Sequence, residues 1–311
     1  MQDGASCRAI AARLGRSPST VAREVSANGG RQRYRAWRAD EAAVRRARRP
    51  KVPRLLRFPR LRTAVERLLA ARWSPQQIAH RLAMDHPDDP EMRVSHETIY
   101  QSLFVQTRGA LRRELTRFLR TGRARRRPHR RTVGSGELVG MVLLSDRPAA
   151  VEDRAVPGHW EGDLIIGKAG RSAVATLVER QTRFTMLLAL PDGRTADQVR
   201  LAIARRILSL PKQLRRTLTW DRGKEMAEHA RFTVETGVQV YFCDPRSPWQ
   251  RATSENTNGL VRQYLPKGTD LAVHDQAHLD VVARELNGRP RQTLGWMKPS
   301  EMFAAAVAIT A

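Results

Sequence analysis

The chain has little cysteine and no long apolar segment. Cys7 and Cys243 are its only cysteines in 311 residues, and neither has a second cysteine or a histidine at zinc-ligand spacing. We expect both to be buried thiols, and nothing in the cysteine usage calls for an oxidising compartment. No apolar run is long enough to span a bilayer, and the N-terminus has no signal-peptide core. We therefore predict a cytoplasmic protein without a membrane partner.

Acidic residues are few beside basic ones. Lys and Arg number 56 and Asp and Glu 31, which gives a net charge of +25. Such an excess needs a polyanionic partner, and nucleic acid is the natural candidate. An anionic membrane is the alternative, but the basic segments lack the strongly apolar opposite face of a surface helix. The length is sufficient for two or three domains.

Residues 1–50 predict a helix-turn-helix. Ile10 and Leu14, and then Val21 and Val25, are spaced four apart and make apolar stripes on two short helices. Gly15 ends the first helix. A plain helical hairpin would give the same pattern, but the net charge favours DNA binding, with the second helix in the major groove.

The second of these helices carries the candidate DNA contacts. Ser17 is a good N-cap and Pro18 occupies the first helical position. The side chains predicted to contact DNA project from this N-terminal part: Ser17, Ser19, Thr20 and Arg23.

A second helix-turn-helix is predicted over residues 73–121. Ser74 and Ser95 would each cap a helix with apolar residues four apart; these residues are Ile78 and Leu82 in the first helix and Ile99 and Leu103 in the second. A small dimerising or bridging helical domain is the alternative.

Two basic stretches flank this unit. Blocks of like charge repel and stay extended, so we interpret residues 51–72 and 122–151 as linkers. Arg125, Arg126 and Arg127 are candidate contacts to DNA phosphates. A merely solvated linker is the alternative.

Residues 152–311 predict an α/β domain. The pattern gives strands at 159–166, 173–178, 184–190, 217–220 and 238–242, with helical spacing at 195–208 and 224–236. This β-β-β-α-β-α-β order indicates a mixed sheet with helices on its faces, which is the ribonuclease-H-like arrangement. The predicted fold class is therefore multidomain, with an all-α front half and a ribonuclease-H-like α/β domain.

Three carboxylates stand out in this domain. Asp163 lies inside an apolar strand, where a carboxylate is costly without a partner, and Asp221 lies at the end of another strand. Glu255 follows 34 positions later, near the start of a helix. Asn258 and Arg262 recur at i+3 and i+7, so they share a face with Glu255.

Oxygen ligands from separate elements can hold two divalent cations for in-line displacement at phosphorus. Mg²⁺ suits such a site, and Mn²⁺ is a substitute, because these ions bind carboxylates together with substrate phosphates. The spacing alone is weak evidence, since 31 acidic residues provide many triples by chance. Buried salt bridges to arginine are the alternative interpretation of the same carboxylates.

At these residues the chain strongly resembles the insertion sequence 30 family of bacterial transposases, a DDE-type group. The resemblance covers nearly the whole chain. It is carried by SCRAIAARLGRSPSTVAREVSANGG (6–30), HWEGDLIIG (159–167), TLVERQTRF (176–184), TLTWDRGKEMAEH (217–229), VYFCDPRSPWQRATSENTNGLVRQYLPKGTDL (240–271) and LNGRPRQTLGWMKPSEMF (286–303).

The resemblance implies a role for each matching residue. The catalytic and metal-binding residues of the family fall on Asp163, Asp221 and Glu255, and a basic position that contacts terminal DNA falls on Arg262. The family implies cleavage at the inverted-repeat ends and joining to target DNA, by an oligomer that holds two ends. It also implies another helix ahead of the first helix-turn-helix, so we expect Ile10, Val21 and Val25 to be partly uncovered.

Two other functions remain open at the level of sequence. A degenerate copy would act as a catalytically silent DNA-binding repressor, although the intact carboxylates disfavour it. A ribonuclease-H-type enzyme would cleave RNA, although two helix-turn-helix units disfavour it because they suit duplex DNA.

Overall fold

The computed structural model describes residues 5–47, 53–104, 141–144, 156–244 and 252–310. The chain forms two compact units, Met1–Arg57 and Phe58–Ala311. The candidate contacts Arg125, Arg126 and Arg127 lie outside the described residues. No helix within the described ranges is both long enough and apolar enough to cross a membrane.

The first unit is all helical. It contains α1 (Cys7–Arg13), α2 (Pro18–Ala27), α3 (Gly30–Arg33) and α4 (Ala36–Ala47). Two features bound the turn between α1 and α2. Gly15, at φ +60°, adopts a conformation that glycine tolerates without steric cost, and Pro18 opens α2. The predicted helix pair is therefore present.

The expectation of a partly uncovered core in this unit is wrong for two of its three residues. Val21 and Val25 are 9% and 5% exposed and pack with Ala11, while Ile10 is half-buried beside Tyr34. The segment after α2 supplies Tyr34 to this cluster, which explains the burial. Leu14, which we predicted to share the apolar stripe of the first helix with Ile10, is 63% exposed and does not join this core.

Three helices begin the second unit: α6 (Pro59–Ala70), α7 (Pro75–Asp85) and α8 (His96–Phe104). A short helix, α5 (Arg54–Arg57), precedes them. Ser74 forms a capping box with Gln77, and the Ser95 hydroxyl accepts from the amide of Thr98 at 3.1 Å. Both predicted N-caps are therefore present.

The prediction that residues 51–72 form an extended linker is wrong. Within α6, Leu61, Val65 and Leu69 are at most 2% exposed and lie on one face, so this helix belongs to the helical core. Its arginines lie between these apolar positions and point to solvent, as in Arg62. We call residues 59–104 the helical lobe.

A five-stranded mixed sheet forms the centre of the α/β domain. Its strands are β1 (His159–Ile166), β2 (Ala173–Glu179), β3 (Thr185–Ala189), β4 (Thr217–Trp220) and β5 (Gln239–Phe242). The order is β3-β2-β1-β4-β5, with β1, β2 and β3 antiparallel and with β4 and β5 parallel to β1. The predicted β-β-β-α-β-α-β order of elements along the chain and the mixed sheet are confirmed.

Helices cover both faces of this sheet. On one face, α9 (Ala196–Leu208) and α10 (His229–Thr236) pack on a core that includes Trp160, Trp220 and Phe242. On the other face, α11 (Ala252–Val261) and α12 (Gln276–Asn287) pack on Ile165, Val174 and Leu187. We call this second side the α11 face. A last helix, α13 (Pro299–Thr310), follows α12.

The domain also includes residues that we predicted as linker. The amide of Phe242 donates to the carbonyl of Val142 at 2.9 Å, and Leu143 bridges to Phe242 in parallel. Met141 packs against the core beneath the sheet. Residues 141–144 therefore extend the sheet beyond β5, because an open sheet edge offers unpaired backbone groups. The linker boundary at 151 is too late.

Candidate active site

Asp163 lies on β1, and Asp221 directly follows the neighbouring parallel strand β4. The last pair in the β1–β4 register joins Glu161 to Thr219, and Asp163 and Asp221 each come two residues after this pair. Side chains alternate along a strand, which places Asp163 on the same face as Ile165, and Asp221 on the face opposite Trp220. Both aspartates therefore lie on the α11 face.

A glycine permits the two strands to align at this point. A Cβ at Gly162 would lie 2.1 Å from Cζ3 and 2.3 Å from Cε3 of the fully buried Trp220 indole. Only glycine leaves room for this ring between β1 and the helices behind the sheet. The contact fixes β1, which carries Asp163, against β4, which Asp221 follows.

The carboxylate of Asp163 is oriented by hydrogen bonds. Its Oδ1 accepts from the amide of Leu164 at 2.9 Å, and its Oδ2 accepts from Nδ2 of Asn258 at 2.8 Å. Thr176, fully buried on β2, donates its hydroxyl proton to the Asp163 carbonyl at 3.2 Å or to Oδ1 of Asn258 at 3.1 Å. This chain of contacts joins β2, β1 and α11.

Asp221 follows β4 directly and is half-buried. Its Oδ1 accepts from the amide of Gly223 at 3.0 Å, which closes a tight turn. A Cβ at Gly223 would lie 2.8 Å from this oxygen and 2.1 Å from Oε2 of Glu225. The turn therefore brings Glu225 close to Asp221, and sequence reasoning had not singled out this carboxylate.

Glu255 lies in the first turn of α11, and its side chain is exposed. The start of this helix is tied to the sheet. Glu161, 3% exposed on β1, accepts from the amide of Ser254 at 3.3 Å and lies 3.3 Å from Nε of Arg180. Arg183 donates to the hydroxyl of Thr253. These contacts fix α11 one residue before Glu255.

Sequence reasoning missed Glu161, Thr176 and Arg180. The available signal was a second carboxylate two positions before Asp163, and therefore on the same face of β1. Its partners lie 19 and 93 residues along the chain, so no local pattern identifies them.

Arg262 supports the end of β1. Its guanidinium donates to the carbonyl of Ile166 at 2.9 Å, and burial lowers its pKa. A guanidinium has five N–H donors, so the bond to Ile166 leaves further N–H groups of Arg262 for a second acceptor.

The donor chemistry of the three carboxylates fits a hard divalent cation, because all of their ligand atoms are oxygens. Within the described ranges, no three His, Cys, Asp or Glu side chains lie close enough together to hold an ion. The structure brings Asp163 and Asn258 into contact, and it places Asp221 directly after the adjacent strand and Glu255 on the covering helix.

The candidate DNA contacts in the first unit are all exposed. They are Ser17, Ser19, Thr20 and Arg23, and all lie in or next to the first two turns of α2. Nε of Arg23 donates to the Ser19 carbonyl at 3.3 Å, which leaves most of the guanidinium in solvent.

Two protein families match the sequence. Residues 1–28 match the helix-turn-helix domain family, and residues 153–248 match the integrase core domain family. The first match covers α1 and α2, and the second covers the sheet with Asp163 and Asp221.

The similar proteins are transposases of bacterial insertion sequences. The transposase of IS1086 from Cupriavidus metallidurans is 48% identical, over 97% of this chain and 90% of the relative. Transposase InsI of IS30C from Escherichia coli is 46% identical over 98% of this chain and 80% of its own length. The transposase of IS4351 from Bacteroides fragilis is 33% identical over 95% and 89%.

Proposed function

The chain belongs to the insertion sequence 30 family of transposases, and we propose that Asp163, Asp221 and Glu255 are its catalytic and metal-binding residues. As a member of this family it binds DNA, and it cleaves and joins DNA strands with its integrase core in a reaction that depends on a divalent metal ion. The metal in our proposal is Mg²⁺, with Mn²⁺ as a substitute.

The hydrogen bond between Asn258 and Asp163 is the observation that carries this proposal. It joins α11, which bears Glu255, to β1, which bears Asp163. The strand next to β1 is β4, and Asp221 follows it directly. Asp163, Asp221 and Glu255 would hold divalent ions, which would supply activation of the attacking oxygen and stabilisation of the leaving oxygen. The residues of the chain orient the ligands: Asn258 holds one oxygen of Asp163, Gly223 holds Asp221, and Glu161 fixes the start of α11.

We assign the DNA substrate to the terminal inverted repeats and the target duplex. Ser17, Ser19, Thr20 and Arg23 are the proposed contacts of the first helix-turn-helix, and Asn258 and Arg262 those beside the carboxylates. Arg125, Arg126 and Arg127 would contact phosphates from the basic segment. Residues 73–121 act as the second helix-turn-helix, and an oligomer brings two ends together.

A nicking assay tests the proposal. The substrate is a duplex that carries the terminal inverted repeat of the element, incubated with the full chain and with Mg²⁺, Mn²⁺, Ca²⁺ or a chelator. We expect nicks at the repeat end with Mg²⁺ or Mn²⁺ and none with the chelator.

Other outcomes identify the alternatives. Tight binding of the repeat without nicking in any metal would favour a silent repressor. Cleavage of an RNA–DNA hybrid in preference to the repeat would favour a ribonuclease. Either result would overturn the proposal.

A further inference from the structure

A cleft of about 540 Å³ opens between the helical lobe and the α/β domain, within the unit Phe58–Ala311. One wall comes from the start of α7 and from Tyr100 on α8. The opposite wall comes from α11 and from the segment 289–296 that follows α12. Pockets of this size hold small organic ligands or single nucleotides.

Direct contacts hold the two walls in place. Arg81 on α7 makes a two-pronged ion pair with Glu301 on α13, with N–O distances of 2.8 and 2.7 Å. The side chain of Gln77 donates to the carbonyl of Pro290 at 2.8 Å. The ring of His80 stacks on Trp296 with centroids 4.0 Å apart. The cleft is therefore preformed.

The lining has the chemistry of nucleic-acid recognition. Its 14 described residues include three arginines, five side-chain amides and two aromatic rings, but no carboxylate. Amide side chains pair with base edges, and aromatic and guanidinium planes stack on bases. A small metal ion or a cationic ligand would find no negative partner there.

One lining side chain, Arg289, has a buried N–H group without a hydrogen-bond partner among the described residues. Arg289 is 1% exposed, and its two terminal nitrogens donate to Gln263 and Tyr264. Its Nε has no hydrogen-bond partner among the described residues. This Nε is itself shielded from solvent, so the exposed side chains of the lining are the ones that can meet a ligand in the cleft.

Two of the four non-glycine residues with positive φ in the described part of the chain line this cleft. Arg72 and Trp296 both line it, and both have left-handed φ angles, +60° and +68°. Such conformations are unfavourable for residues other than glycine and cluster at functional sites.

The cleft also lies between a predicted DNA-binding helix, α8, and the helix that bears Glu255, α11. Tyr100 belongs to the second helix of the predicted helix-turn-helix, and Asn256 follows Glu255 in α11. We propose that the cleft binds one nucleotide of the element's end, unstacked from the duplex beside the scissile phosphate. This inference rests on the proposed function, since it places the DNA between α8 and Glu255. An unstacked nucleotide loosens the duplex where the strand must be reached.

The test uses 2-aminopurine in place of each base in turn around the cleavage point, on both strands of the terminal-repeat duplex. This base brightens when it leaves the stack. With the full wild-type chain in Ca²⁺, we expect a rise of roughly threefold or more at one position. In the variant that combines Gln76→Ala, Asn256→Ala and Gln292→Ala, the rise should fall at least about fivefold, because these exposed amides line the cleft.

Controls separate this inference from folding and from the proposed function. Gln213→Ala removes an exposed amide outside the cleft and should leave the rise unchanged. The single variants Gln76→Ala and Gln292→Ala provide the test if the triple variant does not fold. A wild-type chain that nicks DNA without brightening at any position would overturn the inference alone. So would a rise that persists in the folded variants. A wild-type chain that neither nicks nor brightens would overturn the proposed function as well.

Discussion

At the scale of single residues, Asp163 shows how the strand accommodates a charge. A carboxylate on an apolar strand is unfavourable unless its oxygens have partners. The amide of Leu164 and the side chain of Asn258 supply these partners, and Thr176 in turn holds Asn258. Asn258 is therefore a positioning residue for the proposed metal ligand.

We predict that Asn258→Ala lowers the rate of strand cleavage about 10- to 100-fold, since the residues that orient metal ligands typically contribute this much. DNA affinity should fall less than about tenfold, because at most one phosphate contact is lost. Single-turnover cleavage and a binding titration of the same variant measure both. Cleavage at the wild-type rate would show that Asp163 does not need this contact.

At the scale of elements, the alignment of β1 with β4 depends on Gly162. The Trp220 ring fills the space that a side chain would occupy, and this ring belongs to the core behind the sheet. A larger residue would force the two strands apart and separate Asp163 from Asp221.

Gly162→Ala should therefore lower the free energy of unfolding by about 1–3 kcal/mol, the usual effect of an overpacked core. Chemical denaturation measures this change. Gly288→Ala is the matched control, because its φ is −78° and an added Cβ would come no closer than 3.3 Å to the nearest heavy atoms. An equal loss of unfolding free energy in the two variants would contradict the claim that β1 and β4 align only because Gly162 leaves room for Trp220.

The elements also show what the sequence could and could not predict. The strand 217–220 has the predicted bounds, because β-type residues and a following turn mark both ends. Helix α6 was missed because its charge run obscured Leu61, Val65 and Leu69, which recur at helical spacing. The cleft could not be predicted because the contacts between its two walls join residues far apart in the chain, 191 positions for Arg72 and Gln263 and 213 for Gln77 and Pro290.

At the scale of the whole molecule, the helical lobe is fastened to the α/β domain by Arg81 and Glu301. Burial alone would raise the pKa of Glu301, but hydrogen bonds from Arg81 and Lys298 outweigh it and lower the pKa to about 2. The folded state thus favours the charged carboxylate. This contribution to stability is fully present above the ordinary pKa of 4.5 and is lost as the pH falls towards about 2.

Glu301→Gln should therefore reduce the free energy of unfolding at neutral pH, on the order of 1 kcal/mol, since the pair remains partly solvated. The difference between wild type and variant should shrink as the pH falls below 4.5. Denaturant unfolding from neutral to acidic pH measures it. Glu66→Gln is the control, because the pair of Glu66 with Arg62 is solvent-exposed and contributes little. A difference that is independent of pH would contradict the role of this ion pair.

The net charge of +25 leads to a prediction for DNA binding. Each neutralised phosphate releases counterions, so six to ten contacts would weaken binding about 10³-fold or more between about 50 and 200 mM salt. A titration of the terminal-repeat duplex against salt measures the slope. A flat dependence would remove the role proposed for the basic segments.

Substitution of the three carboxylates tests the central claim most directly. Asp163→Asn, Asp221→Asn and Glu255→Gln keep the size of each side chain but remove its charge, so each should abolish Mg²⁺-dependent nicking of the terminal-repeat duplex. DNA affinity should remain, and Asp192→Asn, at an exposed turn, should nick as the wild type does. Nicking that persists in any of the three purified variants would contradict the assignment of that residue to the catalytic site.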